Sequence, residues 1–469
     1  MSPSVARYLL DADTYRVGRS ALVFGGSPPR LFRLSDGGVR VFEAVAAGRH
    51  VRPGPLVRRF LAAGAIHPDV DLASDMPDLD LTTTSVVIPA RNPSPVALAA
   101  LVAGLGPVHE IIVIDDGSTQ PIAPLDGATV VRVGTPGGPA SARNLGLELC
   151  TTEFVVFVDS DVSVDGTDAV ATLLAHFVDE TVVAVAPRVR TVPAATTLGS
   201  YEVANSPLDL GARPALVGPG RRVSYVPTTT LATRADAVRA VGGFDESLRF
   251  GEDVDLVWRL VNAGGVCRFE PRAIVHHAPR RTWRAWARQR VDYGTSAAPL
   301  ARRHPDLLPA VRIGRLPAAT LVAAAVGARR TALLTAISSV VALTVRLRRM
   351  GLPTGPAAVT STRLALGAHV AIAGQLAEVV RRTWWPIALV ASTFSRRARR
   401  VAALAALAGA TRAGTPSRLP LRLADDALYG LGVWIGVVRE REWQPLSMRF
   451  GALDERAGAR PIAKYGRGS

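Results

Sequence analysis

The chain has 469 residues, enough for two or three domains with ample core. Its formal charge is +16, yet Lys464 is the sole lysine and aromatic residues make up only 6% of the chain; the arginine excess therefore reads as compositional bias, and no nucleic-acid partner is expected. Hydrophobic content of 48% and a mean hydropathy of +0.22 are high for a wholly soluble protein and leave a weaker role for the charge, attraction to anionic lipid or phosphorylated ligands.

Cys150 and Cys267 are the only cysteines. They have no metal-ligand spacing and demand no disulfide, which fits a reducing compartment. Asp11 and Asp13 come early and no apolar run of signal-peptide length precedes or follows them, so no secretory signal is expected.

Residues 1–80 are predicted to form a small module. Arg30 to Gly38 joins a strand-like run to a helix cap at Ser35. Val39 to Gly48 has helical apolar spacing, and Leu56 to Pro68 holds a second helix closed by Gly64. A helix pair with flanking strands is the content of a winged-helix module. The acidic run Asp69 to Leu81 reads as a linker.

Residues 82–300 alternate short apolar strands with helical stretches. The strands are Ser85 to Ala90, Glu110 to Asp116, Ala128 to Val133, Phe154 to Val158 and Val182 to Val189. Continuous Val/Ile runs separated by helices predict an α/β fold, a mostly parallel sheet covered on both faces.

Residues 301–469 lose the strand signals. Pro317 to Gly327, Thr331 to Thr344, Leu364 to Val380 and Trp384 to Phe394 are apolar but short and interrupted, below the roughly 20 residues of a membrane span. Arginine clusters at 345–349, 381–382 and 396–400 would suit a lipid surface. Two expectations stand for this region: helices that lie on or enter a membrane, or an Ala-rich helical domain packed on the sheet.

The chemistry concentrates where the strands end. In SVVIPARN, Pro89, Ala90 and Arg91 bring backbone groups and a guanidinium to the sheet edge, suited to a nucleotide. In IIVIDDGST, Asp115 and Asp116 end the next strand, where a carboxylate can accept the imide N–H of a uracil ring, and Gly117 allows close approach. Gly137 to Gly146 opens a helix through small residues; its N-terminus can bind phosphate, and Arg143 adds positive charge.

Phe154 to Asp161 reads FVVFVDSD. Residues two apart on a strand share a face, so Asp159 and Asp161 point to one place at its carboxyl end, and two hard oxygen donors there suit Mg²⁺ or Mn²⁺ bridging to a phosphate. Finally, in GGFDESLRFGEDVDLVWRL, Glu252, Asp253 and Asp255 begin an amphipathic helix.

In this order, SVVIPARN, VIDDGS, GPASARNLG, DSD, GGFDE and GEDVDLVWRL closely resemble the family 2 glycosyltransferases with the GT-A nucleotide-sugar fold. The resemblance covers residues 82–277 and implies a metal-dependent, mostly inverting transferase using UDP-linked or similar sugars. Carried over, Asp115 or Asp116 would hold the base, Asp159 the ribose or sugar, and Asp161 the metal. Asp253 would be the general base, with Glu252 orienting the acceptor. A late histidine often joins the metal; of His276 and His277, the spacing from Pro271 favours His277. Thr282 to Gly294 stands where processive members carry QxxRW, so any means of chain extension is left unassigned.

The N-terminal pattern is similar to the peptide-recognition modules of ribosomal-peptide maturation, of the type found in pyrroloquinoline quinone biosynthesis, which bind leader peptides by strand addition. Module, transferase domain and basic tail together resemble the mycofactocin-system glycosyltransferase family. That implies UDP-glucose as donor, a peptide-derived redox cofactor precursor as acceptor, and a short β-1,4-glucose chain as product. The residues around Pro227 to Thr230 and Gly218 to Arg222 are expected to shape the sugar pocket. A cell-membrane location with the catalytic domain on the cytoplasmic side is expected; the alternative function is a family 2 enzyme acting on a polyprenyl-linked or cell-wall glycan acceptor.

Overall fold

The structure, a computed structural model, describes residues 6–70, 80–164, 168–413 and 416–451. The chain divides into two compact units, one built mainly on Ala21–Pro279 and the other on Arg280–Leu453.

The first unit begins with the small helical module. Ser35 caps the Asp36–Ala46 helix by accepting the Gly38 N–H, and Gly64, in the left-handed conformation, ends the Pro55–Ala63 helix. Leu22–Gly25 and Arg30–Arg33 form an antiparallel hairpin, and Tyr8–Leu10 pairs with Ile66–Pro68. The module has its own core, in which Phe60 meets Phe32 edge-on with ring centroids 5.0 Å apart. Most of the expected acidic linker, 71–79, lies outside the described residues.

A nine-stranded mixed sheet follows. Its path runs Val162–Val164, Val266–His277, Val182–Thr191, Thr230–Arg234, Phe154–Val158, Thr84–Ala90, Glu110–Asp116 and Thr129–Val133, with Ala215–Val217 pairing beside it on Val266–His277. The strands from Phe154–Val158 to Thr129–Val133 are parallel, as are Val182–Thr191 and Val266–His277. Thr230–Arg234 runs antiparallel to both its neighbours. The expected α/β class holds: every predicted strand is present, and their Val and Ile side chains form the core beneath helices such as Pro95–Gly104. The sequence pattern missed Thr230–Arg234, whose TLATR lacks the long apolar run of its partners.

Gly146 shows how closely this layer packs. A Cβ there would lie 2.2 Å from Val87 Cγ1, so only glycine lets the Pro139–Leu149 helix settle on the sheet.

The second unit is mostly helical, with Arg315–Ala325, Arg329–Arg349, Thr354–Arg382, Trp385–Phe394, Arg396–Ala413 and Leu419–Glu440 among its helices. It corrects three expectations. Thr331 to Thr344 and Leu364 to Val380 are parts of longer helices, Arg329–Arg349 and Thr354–Arg382, which are long and apolar enough to cross a membrane by length and composition, with only 6% and 11% of their most apolar stretches buried. Polar residues and terminal arginines interrupt an apolar run without interrupting backbone hydrogen bonding, so run length underestimated helix length. Strands are present too: Val311–Ile313 pairs in parallel with Met448–Phe450. The 381–382 cluster turns inward, where Arg381 pairs with the buried carboxylate of Asp426 and Arg382 stacks over the Tyr429 ring at 3.7 Å.

Candidate active site

The carboxyl ends of the parallel strands Thr84–Ala90, Glu110–Asp116 and Phe154–Val158 gather the expected site residues at one edge of the sheet, where open α/β sheets bind ligands. Pro89 and Ala90 close the first strand and are buried, with Ala90 registered against Asp115; Arg91 follows and is exposed. Asn92 adopts φ 49°, its side-chain oxygen accepts from the Thr119 N–H and hydroxyl, and its backbone N–H donates to Ser118 Oγ at 2.9 Å. The two loops are thereby fastened side by side. Sequence reasoning had no role for Asn92 or Ser118; their adjacency to the strand ends was the available signal.

Asp115 and Asp116 both accept hydrogen bonds from within the chain. Asp115 is fully buried and accepts from the backbone N–H groups of Ser118 and Ile122 at 2.8 and 3.2 Å and from Arg132 at 2.9 Å. Burial alone would raise its pKa, but these hydrogen bonds and the Arg132 charge outweigh it and hold the carboxyl below its ordinary value. Asp116 accepts from Gly137 and Gly138 N–H at 2.7 and 2.9 Å. Both carboxylates therefore brace loops, and two of the N–H groups leading into the Pro139–Leu149 helix are already engaged. Gly117 follows Asp116 at φ +66°, with Pro136 so close that a Cβ would come within 2.6 Å.

Arg143 also departs from expectation. Its guanidinium, anticipated beside a phosphate, is buried and bridges two carboxylates: Nη2 donates to Asp159 Oδ1 at 2.6 Å and Nη1 to Glu252 Oε1 at 3.0 Å. It also lies over the Phe244 ring, 5.4 Å from the centroid. The reason is position on the helix: Arg143 is one turn in from the N-terminus, facing the sheet. Next to it Asn144 accepts the Phe244 N–H and donates to the Phe244 carbonyl and the Glu246 carboxylate, which moors the GGFDE loop.

Glu252 and Asp253 open the Glu252–Asn262 helix. That helix is held by the buried Asp255, which accepts from Arg259 at 2.7 Å, while Arg259 also donates to the carbonyls of Val241 and Gly243. Asp255 is thus a structural acid among the three. Asp253 accepts the Val254 N–H at 2.7 Å. Burial, joined by the Glu252 charge, pushes its pKa up to about 7, with Asp159 adding to the rise and Arg143 opposing it. Asp159 is likewise raised, by burial and then against the pull of Arg143. Through Glu252 and Arg143, then, the helix carrying Asp253 is tied to the first acid of the DSD motif.

Asp161 is half-exposed, and its Oδ2 lies 3.1 Å from His277 Nε2. Val162, the residue after Asp161, registers opposite His277 in the sheet, which brings the two chain segments together. Among the described residues there is no cluster of three or more His, Cys, Asp or Glu that could hold a metal.

Comparison with known proteins agrees with this architecture. Residues 85–212 match the glycosyl transferase family 2 model, and residues 154–395 match that of glycosyl transferase family group 2. The chain is 39% identical to the pre-mycofactocin glycosyltransferase of two Mycobacterium tuberculosis strains, over 91% of this chain and 93% of theirs. It is 27% identical to the probable glycosyltransferase YdaM of Bacillus subtilis over 46% of this chain and 55% of that protein. A solved mannosyltransferase from Pyrobaculum calidifontis, in complex with GDP-Man and Mn²⁺, overlaps 62% of this chain and 87% of its own, with 18% identity and a TM-score of 0.37. The chain is a glycosyltransferase: it belongs to the family 2 glycosyltransferases, in the same family as the pre-mycofactocin glycosyltransferases.

Proposed function

We propose that the protein transfers glucose from UDP-glucose to pre-mycofactocin, the peptide-derived precursor of a redox cofactor, with inversion, and extends it into a short β-1,4-glucose chain. The observation that carries the catalytic part is Asp253, a carboxylate with its pKa raised to about 7, on a helix joined through Glu252 and Arg143 to Asp159. A base poised near the working pH is suited to take the proton of an acceptor hydroxyl as that oxygen attacks the anomeric carbon. Asp253 removes the proton, Glu252 orients the acceptor, and Asp159 with the loops of Asp115 and Asp116 holds the nucleotide sugar. The acceptor identity is supported by the name and near-complete overlap of the mycobacterial relative.

The residues present fit a divalent cation. The half-exposed Asp161 and the buried His277 offer one hard oxygen and one imidazole nitrogen within 3.1 Å of each other, and two protein donors would leave room for diphosphate oxygens. Mg²⁺ or Mn²⁺ held by these two would neutralise charge developing on the leaving diphosphate.

A cell-membrane location with the catalytic unit on the cytoplasmic side accompanies this reading. It is supported by the two long, little-buried apolar helices and by the free buried cysteines, which persist in a reducing compartment. The same helices favour one second reading, a polyprenyl-linked or cell-wall glycan acceptor.

Mass spectrometry of products from the purified protein, UDP-glucose and Mn²⁺ tests the assignment. Hexose additions to the peptide-derived acceptor are expected. Transfer only to a polyprenyl phosphate, or no UDP release with any acceptor, removes the first reading.

A further inference from the structure

One unbroken stretch, residues 218–229, leaves the sheet strand Ala215–Val217 and meets the N-terminal module, the catalytic helix and the DSD motif in turn. At its start it is bolted to the module. The Arg222 N–H donates to Ser27 Oγ at 2.6 Å, Arg221 donates to the Ser27 carbonyl at 2.9 Å, and the Arg222 guanidinium lies 3.1 Å from the buried Asp11 carboxylate. Asp11 is itself fixed by His67, 3.0 Å away on the module's closing strand. In its middle the stretch meets the helix that begins with Glu252 and Asp253: the buried Trp258 indole N–H donates to the Ser224 carbonyl at 2.8 Å. At its end the Thr229 carbonyl accepts the Asp159 backbone N–H at 2.9 Å, just before Thr230 pairs with Val158.

We propose that residues 218–229 form a coupling strap through which the N-terminal module positions the catalytic carboxylates, with Ser27 and Trp258 as positioning residues at its two main joints. The strap touches both halves of the site, the base-bearing helix and the donor-side acid, and between the sheet strand Ala215–Val217 and Ser224 it is hydrogen-bonded to the module through Ser27 and Asp11. A shift of the module on binding its peptide would therefore be felt at Asp253 and Asp159 together. Small displacements matter here, because a misplacement of about 1 Å can lower a rate by about a hundredfold. The inference rests on the reading of Asp253 as the base.

The test compares the full chain with Ser27→Ala, Ser27→Thr and Trp258→Phe. Ser27→Ala removes the hydroxyl that accepts the Arg222 N–H; Ser27→Thr keeps it; Trp258→Phe keeps an aromatic ring, smaller than the indole, and loses the donor. Ser27→Ala and Trp258→Phe are expected to lower kcat about tenfold with donor KM little changed and melting temperature within a few degrees, and Ser27→Thr to restore most of the loss. Hydrogen exchange, read without turnover, is expected to accelerate in peptides covering 224–229 and 252–258 of Ser27→Ala, and to stay at the wild-type rate over 110–116. Unchanged exchange in those two segments overturns the strap, whatever the turnover. Accelerated exchange in a protein that transfers no sugar leaves the strap standing and removes the functional reading instead.

Discussion

Arg143 joins Asp159 to Glu252, with one guanidinium nitrogen 2.6 Å from the first carboxylate and the other 3.0 Å from the second. The bridge connects the end of a core strand to the start of the helix that carries the candidate base. It is an internal ion triad, and its consequences differ for stability and for chemistry.

Removing the guanidinium leaves two poorly solvated carboxylates facing each other. Breaking a buried pair of this kind typically costs about 3–5 kcal/mol, and the partial exposure of Asp159 puts the expectation near the lower end, about 3 kcal/mol, for Arg143→Leu. Urea denaturation measures it. Arg143→Lys keeps the charge but cannot span both acids, so an intermediate loss is expected.

Asp253→Asn keeps the shape and loses the base. Sugar transfer is expected to fall by about a factor of 10³, within the usual range for general base catalysis, while calorimetry still detects UDP binding. Turnover at the wild-type rate in this variant would remove Asp253 from the mechanism.

The raised pKa of Asp253 has two pH signatures. Transfer needs the ionised base, so kcat/KM is expected to rise with pH and level off above about 7. For stability the sign is opposite. The folded pKa of about 7 exceeds the ordinary 3.8, so folding takes up a proton between those values; this contribution is full below 3.8 and is lost as pH rises through about 7. Asp253→Asn is therefore expected to gain in melting temperature relative to wild type between pH 5 and pH 8.

Asp161→Ala and His277→Gln are each expected to weaken Mn²⁺-dependent binding of the donor at least tenfold, with metal-independent binding of UDP little altered. Titration calorimetry with Mn²⁺ and with a chelator separates the two. Equal donor affinity in all proteins would detach these residues from the cation.

Gly146→Ala adds a methyl 2.2 Å from Val87 Cγ1. Better helix propensity returns about 1 kcal/mol, but overpacking of a filled core costs about 1–3 kcal/mol, so a net loss of stability is expected. Combining it with Val87→Ala makes room, and the two changes should show favourable coupling in a double-mutant cycle.

Much of the fold was legible because its signals are local. Five parallel-type strands announced themselves as Val/Ile runs, and Ser35 and Gly64 marked helix ends through capping chemistry that acts over a few residues. Thr230–Arg234 and the full length of Thr354–Arg382 escaped for a common reason. Neither is encoded as an uninterrupted apolar stretch: the first is a strand by virtue of its neighbours on both sides, the second a helix whose polar residues keep the backbone bonded.

For the site, the sequence by itself determined which acids stand at strand ends and at the head of a helix, since strand period and helix register follow from adjacent residues. Only the tertiary structure decided their partners. Arg143 meets Glu252 across 109 positions, and His277 comes within 3.1 Å of Asp161, because strand and helix pairing, not composition, selects which side chains converge. It also assigned Asp115 and Asp116 to bracing loops, since a carboxylate buried at a turn binds the nearest backbone N–H groups, and those are supplied by chain closure.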